Sequence, residues 1–472
     1  MTRPTSLAAA HQVSRRAALA AIGGTAAAAG TVLAAPSWAA DAARPGSVRS
    51  PRLTARDRVV VGRVRAELAV DHILELSEGI GPRIGGTPSE RAAADYMAAV
   101  LDGYGYDVEL ETFPVADKFL AEVDGDPVLD QSICWQMGAA PLGGLDVSVT
   151  GPAVLAGDGS QGELGGAIAL VETPAGVSTA VRTQRVQLAV SRGAVAVVVL
   201  PADAADPIRR TQASSPALST AVAVPVLGAA QVQKARLVAA VGAGALTLTV
   251  ATTAYRGLTS QNVLASRAGR GGPVGQNEAV MVCGHYDSVI GAPGANDDGS
   301  GTALTLELAR VMRSLPTQRD IRFSLWGSEE QGLIGSRYHV AQLDQAERDR
   351  LVGVYNNDMV ATSWDPATRY WVLSWDGSAN VVNTSVIAAA ERLGYSPHLS
   401  PITTRGASDH QSFQERGVAS SNFSWRGEAS PALLEPPYHS PEDTVALNIS
   451  MERMQVSLEL IGAAMYQVAR EA

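Results

Sequence analysis

Apolar positions recur at helical spacing from Val64 to Ser77, the first clear element of the chain. A second helix is predicted to open at Thr87-Pro88-Ser89-Glu90, with Thr87 as its cap, Pro88 in the first turn and Glu90 completing a capping box. It should stop at Gly103 or Gly105, after which Val108 and Leu110 alternate with charged residues as in a half-exposed strand. From Lys118 to Gly257 the texture changes to Gly, Ala and Val with short apolar runs such as Ala167–Val171 and Ala194–Leu200. That stretch holds no histidine and its carboxylates are scattered, so it reads as a separate small domain, 118–257, without chemistry of its own.

Past Gln261-Asn262-Val263-Leu264 the pattern becomes strand–helix–strand. Strands are predicted at Glu278–Cys283, Asp320–Trp326, Leu351–Tyr355 and Val418–Ser424. Between and after them come an amphipathic helix at Thr302–Leu315 and helices at Gly332–Leu343, Ala379–Leu393 and Ile449–Ala469. Such alternation implies an α/β fold, with a mixed, mostly parallel sheet covered by helices on both faces. In folds of this kind ligands sit beyond the carboxyl ends of the strands.

The first forty residues do not pattern as a fold. Ser14-Arg15-Arg16 precedes an alanine-rich apolar run from Ala17 to Leu33, followed by Pro36-Ser37-Trp38-Ala39. A basic start, an apolar centre and a small-x-small cleavage site make a signal peptide over 1–40, and the paired arginines resemble a twin-arginine export signal. Cleavage near Ala39 or Ala40 would release a secreted chain with no membrane attachment, starting with a linker over 41–57. The 472 residues are 46% apolar and 18% charged, enough to bury large cores in more than one domain. A net charge of −10 argues against nucleic acid as a partner. The two cysteines, Cys134 and Cys283, are too few for a disulfide framework.

Chemistry-bearing residues follow each predicted strand. His285 and Asp287 come after Val280–Gly284, and a glycine-rich loop then carries Asn296-Asp297-Asp298-Gly299-Ser300-Gly301. Ser328-Glu329-Glu330 follows Arg322–Gly327, Asn356-Asn357-Asp358 follows Gly353–Tyr355, and Tyr438-His439 lies near the end. Singly, each has a plain explanation: a surface histidine, a solvated Glu-Glu, an Asp-Asp-Gly turn. Together on one rim they would crowd like charges at a cost that a cation offsets. Mixed nitrogen and oxygen ligands suit zinc better than calcium.

His285-x-Asp287, Asp297, Glu329-Glu330, Asn357-Asp358-Met359 and Tyr438-His439 together resemble the M28 metallopeptidases, which are di-zinc aminopeptidases and relatives. Gly81-Pro82-Arg83-Ile84-Gly85-Gly86-Thr87 and Ser408-Asp409-His410-x-x-Phe413 resemble two further family motifs. The resemblance implies a peptidase domain over 58–117 and 258–472, and 118–257 looks like the protease-associated (PA) domain often inserted there. It also implies two zinc ions per chain, bridged by Asp297, with His285 and Asp358 completing one set and Glu330 and His439 the other. Glu329 would be the general base toward a metal-bridging water, Asp287 would orient His285, and Tyr438 would steady the developing oxyanion. Asp298 is expected to cap a helix, and Asp409 and His410 are the rival ligands. The implied substrate is the free N-terminus of a peptide. A carboxypeptidase or dipeptidase of the same family, drawing on Arg405, a single-zinc cyclase of N-terminal glutamine, and a non-catalytic binding protein are the alternatives.

Overall fold

The structure is a computed structural model that describes residues 52–204, 210–271 and 277–471. The expected export signal and residues 41–51 of the expected linker lie outside the described residues. The remainder of that linker is not one throughout. A helix, Ala55–Val61, starts inside it, opened by a capping box between Thr54 and Asp57. Asp57 is buried, and Arg392 approaches it at 2.9 Å, so this helix is tied to the core.

The main sheet begins with β1 (Asp107–Pro114), which leads the chain into a closed barrel. The barrel comprises β2 (Lys118–Asp126), β3 (Gln136–Ala139), β4 (Ser148–Gly157), β5 (Ile168–Glu172), β6 (Ala196–Leu200), β7 (Val226–Gly228) and β8 (Thr247–Tyr255). Its interior is filled by Met137, Ile168, Leu170, Val198, Leu227 and Val250. Ala169, Val171, Val197 and Val199 point the other way, onto the helix Thr179–Ser191. Burial of both faces explains why β5 and β6 read as unbroken apolar runs and do not alternate.

The chain then returns to the main sheet as β9 (Thr259–Arg267), β10 (Ala279–His285), β11 (Asp320–Trp326), β12 (Leu351–Asn357), β13 (Arg369–Ser374), β14 (Leu399–Thr404) and β15 (Ser420–Arg426). The order across the eight strands is β1-β9-β11-β10-β12-β15-β13-β14. Pairings β11/β10, β10/β12, β12/β15 and β13/β14 are parallel, while β1/β9, β9/β11 and β15/β13 are antiparallel. The mixed, mostly parallel sheet is the expected one. Strands β13 and β14 were not foreseen: β13 runs against β15, and β14 carries Pro401, which suits an edge.

Two local expectations are corrected. The helix Gly299–Met312 is not amphipathic, since every residue except Arg310 is buried beneath the sheet. It starts so close to β12 that a Cβ on Gly301 would lie 1.9 Å from the carbonyl oxygen of Asn357. Only glycine allows that approach. Glu90 closes no capping box on the helix Pro88–Gly103. Its buried carboxylate instead accepts from Ser260 Oγ at 2.7 Å and from the backbone N–H of Ser328 at 3.1 Å, so it braces the turn just before Glu329. Among the described residues no helix is long and apolar enough to cross a membrane. Cys134 and Cys283 are both free thiols.

Arg83 joins the N-terminal motif to the loop that follows β10. Its fully buried guanidinium donates to the carbonyl oxygens of Tyr286 (2.5 Å), Leu76 (3.1 Å), Gly81 (3.3 Å), Pro293 (2.5 Å) and Gly294 (2.8 Å). Burial draws its pKa down to about 10, which leaves it charged at neutral pH. Arg83→Met strips donors from all five acceptors and is expected to lower stability by about 3 kcal/mol or more in urea unfolding. Arg91→Met, which breaks only an exposed pair with Asp95, should change it by less than about 0.5 kcal/mol.

Candidate metal centre

The parallel register brings three strand ends level. His285 of β10 lies opposite Trp326 of β11, and Cys283 lies opposite Asn356 of β12. The residues that follow these ends, Glu329 and Glu330 on one side and Asp358 on the other, therefore meet His285 on one rim. Asp297 arrives from the loop after β10, and His439 from the loop between β15 and the helix Val445–Asn448.

Asp297 lies between two imidazoles. Its Oδ1 is 3.3 Å from His285 Nε2 and its Oδ2 is 3.1 Å from His439 Nε2. His439 Nε2 is also 3.2 Å from Glu330 Oε2, and Glu329 Oε2 lies 4.0 Å from His285 Nε2. Donor atoms of His285, Asp297 and Glu330 lie within 4.8 Å of one another, as do those of His285, Asp298 and Asp358. The structure thus gathers His285, Asp297, Glu329, Glu330, Asp358 and His439 in one place. Asp298 has its oxygens engaged elsewhere: Oδ1 accepts from the N–H groups of Gly301 (2.8 Å) and Met359 (3.1 Å), and Oδ2 from that of His285 (3.2 Å). It caps the central helix, as expected.

Asp287 makes two sets of contacts, of which the resemblance implied one. Its Oδ1 lies 3.4 Å from His285 Nδ1, close to but not aligned as a hydrogen bond. The same carboxylate accepts from the backbone N–H of Glu329 at 2.9 Å and of Glu330 at 3.2 Å, so it also fixes the turn that presents both acids. Tyr438 stacks on His439 with centroids 3.8 Å apart and planes 19° from parallel. Burial raises its phenol pKa, as do Asp297 and Glu330, so its hydroxyl keeps its proton.

Of the rival ligands, His410 Nε2 faces the carbonyl of Arg405 at 2.8 Å, and burial pulls its pKa down to about 4. Neither His410 nor Asp409 belongs to a ligand group among the described residues. Sequence reasoning named Asn296 without a role and missed Glu435 and Asp443. Asp443 accepts from the N–H groups of Asn296 (3.0 Å) and Asp297 (3.1 Å), and Asn296 Nδ2 donates to Glu435 Oε1 at 2.6 Å. Their separation of about 140 positions leaves no spacing signal to find. Four residues flanking the site hold left-handed backbone without being glycine: Ser328 (φ 55°), Leu333 (62°), Met359 (64°) and His439 (54°). Such strain costs about 1–3 kcal/mol per residue and persists only where surroundings enforce it.

The electrostatics are those of a cation site. Burial opposes charge on His285, yet Glu329, Asp287 and Asp297 hold its pKa well above the usual imidazole value. Burial likewise opposes charge on His439, which Glu330 and Asp297 push up to about 10. Burial lifts Glu329 well above the carboxylate range, with Asp409 and Glu330 adding to it. Acids and imidazoles here share protons in the place where a divalent ion would supply positive charge. The donor set fits zinc, with imidazole nitrogen and carboxylate oxygen at each end of Asp297. His439 Nε2, though near two carboxylate oxygens, is aligned as a hydrogen-bond donor to neither. Two ligands of a tetrahedral zinc are about 3.3 Å apart, which matches these spacings.

Comparison with known proteins agrees with this arrangement. The model of peptidase family M28 matches residues 262–465. Aminopeptidase YwaD of Bacillus subtilis is 34% identical over 413 residues, covering 86% of both chains. A probable lipoprotein aminopeptidase, LpqL, of Mycobacterium tuberculosis is 29% identical over 435 residues, 81% of both. The solved structure of BSAP, a zinc aminopeptidase from Bacillus subtilis, superposes with a TM-score of 0.60 at 32% identity, covering 86% of this chain and 96% of that one. The aminopeptidase from Aneurinibacillus sp. strain AM-1 gives 0.56 at 31%, covering 88% and 97%. With similarity that runs through the barrel as well as the sheet, and a family match spanning most of the rim that gathers the acids and imidazoles, the chain belongs to peptidase family M28.

Proposed function

We propose that this protein is an exported zinc aminopeptidase that releases N-terminal residues from peptides. The observation that carries the reading is Asp297, whose two oxygens each face a different histidine. A carboxylate so placed can bridge two ions, with His285 and Asp358 completing one set and Glu330 and His439 the other. Zinc, when bound, supplies Lewis acidity toward a carbonyl oxygen and toward water. Glu329 takes the proton of the attacking water and passes it to the leaving amine. Asp287 keeps Glu329 in place through its backbone N–H and fixes the ring of His285. Tyr438, protonated and stacked on His439, donates to the oxyanion that develops at the scissile carbonyl. The surplus of carboxylates around the ions favours a substrate that brings an ammonium group, which sets the polarity of cutting.

The barrel is an inserted PA-like domain. Support comes from the pairing of Pro114 in β1 with Thr259 in β9, which places the points of exit and return side by side. The peptidase domain then comprises 58–117 and 258–472. The leader pattern around Arg15-Arg16 supports export by the twin-arginine route.

Unblocked aminoacyl anilides should be hydrolysed, and a chelator should abolish turnover. N-acetylation of a dipeptide should abolish its cleavage while C-amidation leaves it; the reverse pattern means a carboxypeptidase. Glu329→Gln is expected to retain about two zinc ions per chain by elemental analysis. Its kcat should fall by about 10²–10⁴-fold. Replacing Arg15 and Arg16 by lysine should leave the chain unprocessed inside the cell, as read by the mass of its N-terminal peptide.

A further inference from the structure

The segment 436–443 that carries His439 is held from two sides. On the core side, Asp443 accepts from the backbone of Asn296 and Asp297. On the other side all three contacts come from the barrel. The N–H of Cys134 donates to the carbonyl oxygen of Pro441 at 3.2 Å, and Arg210 Nε lies 3.1 Å from Glu442 Oε2. Gln212, in the connection between β6 and β7, places its Oε1 2.8 Å from His439 Nδ1.

The last contact has a chemical consequence. An amide oxygen only accepts hydrogen bonds, so with Gln212 in this orientation His439 donates through Nδ1–H. Nε2 is then the ring atom left to meet a metal once its own proton is displaced, and it is this atom that lies 3.1 Å from Asp297 Oδ2 and 3.2 Å from Glu330 Oε2. A metal-bound imidazole needs this tautomer, fixed by an acceptor on its far nitrogen. For His285 the neighbour at the corresponding nitrogen is Asp287, 3.4 Å from Nδ1 and from the loop that follows the same strand. Among the described residues His439 has no such neighbour in the core, and its Nδ1 meets Gln212 of the barrel's β6–β7 connection.

We infer that Gln212 is a positioning residue for the metal centre: through His439 Nδ1 it sets the tautomer and plane of the ring, so the inserted barrel helps hold one of the two zinc ions. The inference rests on the reading of His439 as a zinc ligand. It gives the barrel a role in zinc retention at one site and none at the other, because the His285 end is braced wholly from the core.

Zinc retention against a competing chromogenic chelator tests this on the full chain with Gln212→Leu, Gln212→Glu and His439→Ala. Gln212→Leu removes the acceptor and is expected to weaken one of the two zinc ions by about 10–100-fold, leaving the other unchanged. Gln212→Glu keeps an acceptor oxygen and should hold both ions about as well as the unaltered protein. Gln212 is exposed, so both variants should fold, and far-ultraviolet circular dichroism verifies it. The inference is overturned if Gln212→Leu retains both ions while His439→Ala loses one, or if Leu and Glu weaken binding equally. If His439→Ala keeps two zinc ions, the ligand reading itself fails, and the two failures are thereby told apart.

Discussion

Repulsion among acids at the carboxyl ends of β10, β11 and β12 is the constraint around which this molecule is organised. Asp287, Asp297, Asp298, Glu329, Glu330 and Asp358 are drawn from three strand ends and one loop into a region largely shielded from water. Buried carboxylates without compensation would take up protons or push apart. The fold answers in two ways. Asp287, Asp298 and Asp443 accept from backbone N–H groups and so hold loops in place. Asp297, Glu329, Glu330 and Asp358 are left facing His285 and His439, and this is the set proposed to hold zinc.

Rigidity around the set follows from the same need. Ligands whose charges repel stay together only if their backbones cannot relax. The turn at Ser328 is held by Glu90 from behind and by Asp287 from in front. The glycine-rich loop is held by Arg83, Asp443 and the capped helix beginning at Gly299. His439 occupies a left-handed conformation in a segment clasped between core and barrel. The barrel and its connections therefore touch the segment that carries His439.

Several differences between expectation and structure share one cause. Thr87 and Glu90 have the spacing of a capping box, but Glu90 gains more from the buried N–H and hydroxyl groups near Ser328 than from its own helix end. The Gly299–Met312 helix begins with small polar residues that read as a solvent-facing turn, yet they are buried because strand β12 needs close approach at Gly301. In each case a distant partner outbid the local rule, and local rules are all that a periodicity argument contains.

The residue order determined a good deal alone: the alternation of strand and helix, the parallel centre of the sheet, and the placement of His285, Glu329, Glu330 and Asp358 at or just past strand ends. Those are short-range properties, set by side-chain period and by which residue follows which. Tertiary structure decided what distance along the chain conceals. It set the antiparallel β13, the second task of Asp287, and the network of Asn296, Glu435 and Asp443. It also set the contact of Gln212 with His439 across 227 positions. A hydrogen bond is fixed by where two groups lie in space, and no pattern along a chain encodes a meeting that only the folded sheet and barrel bring about.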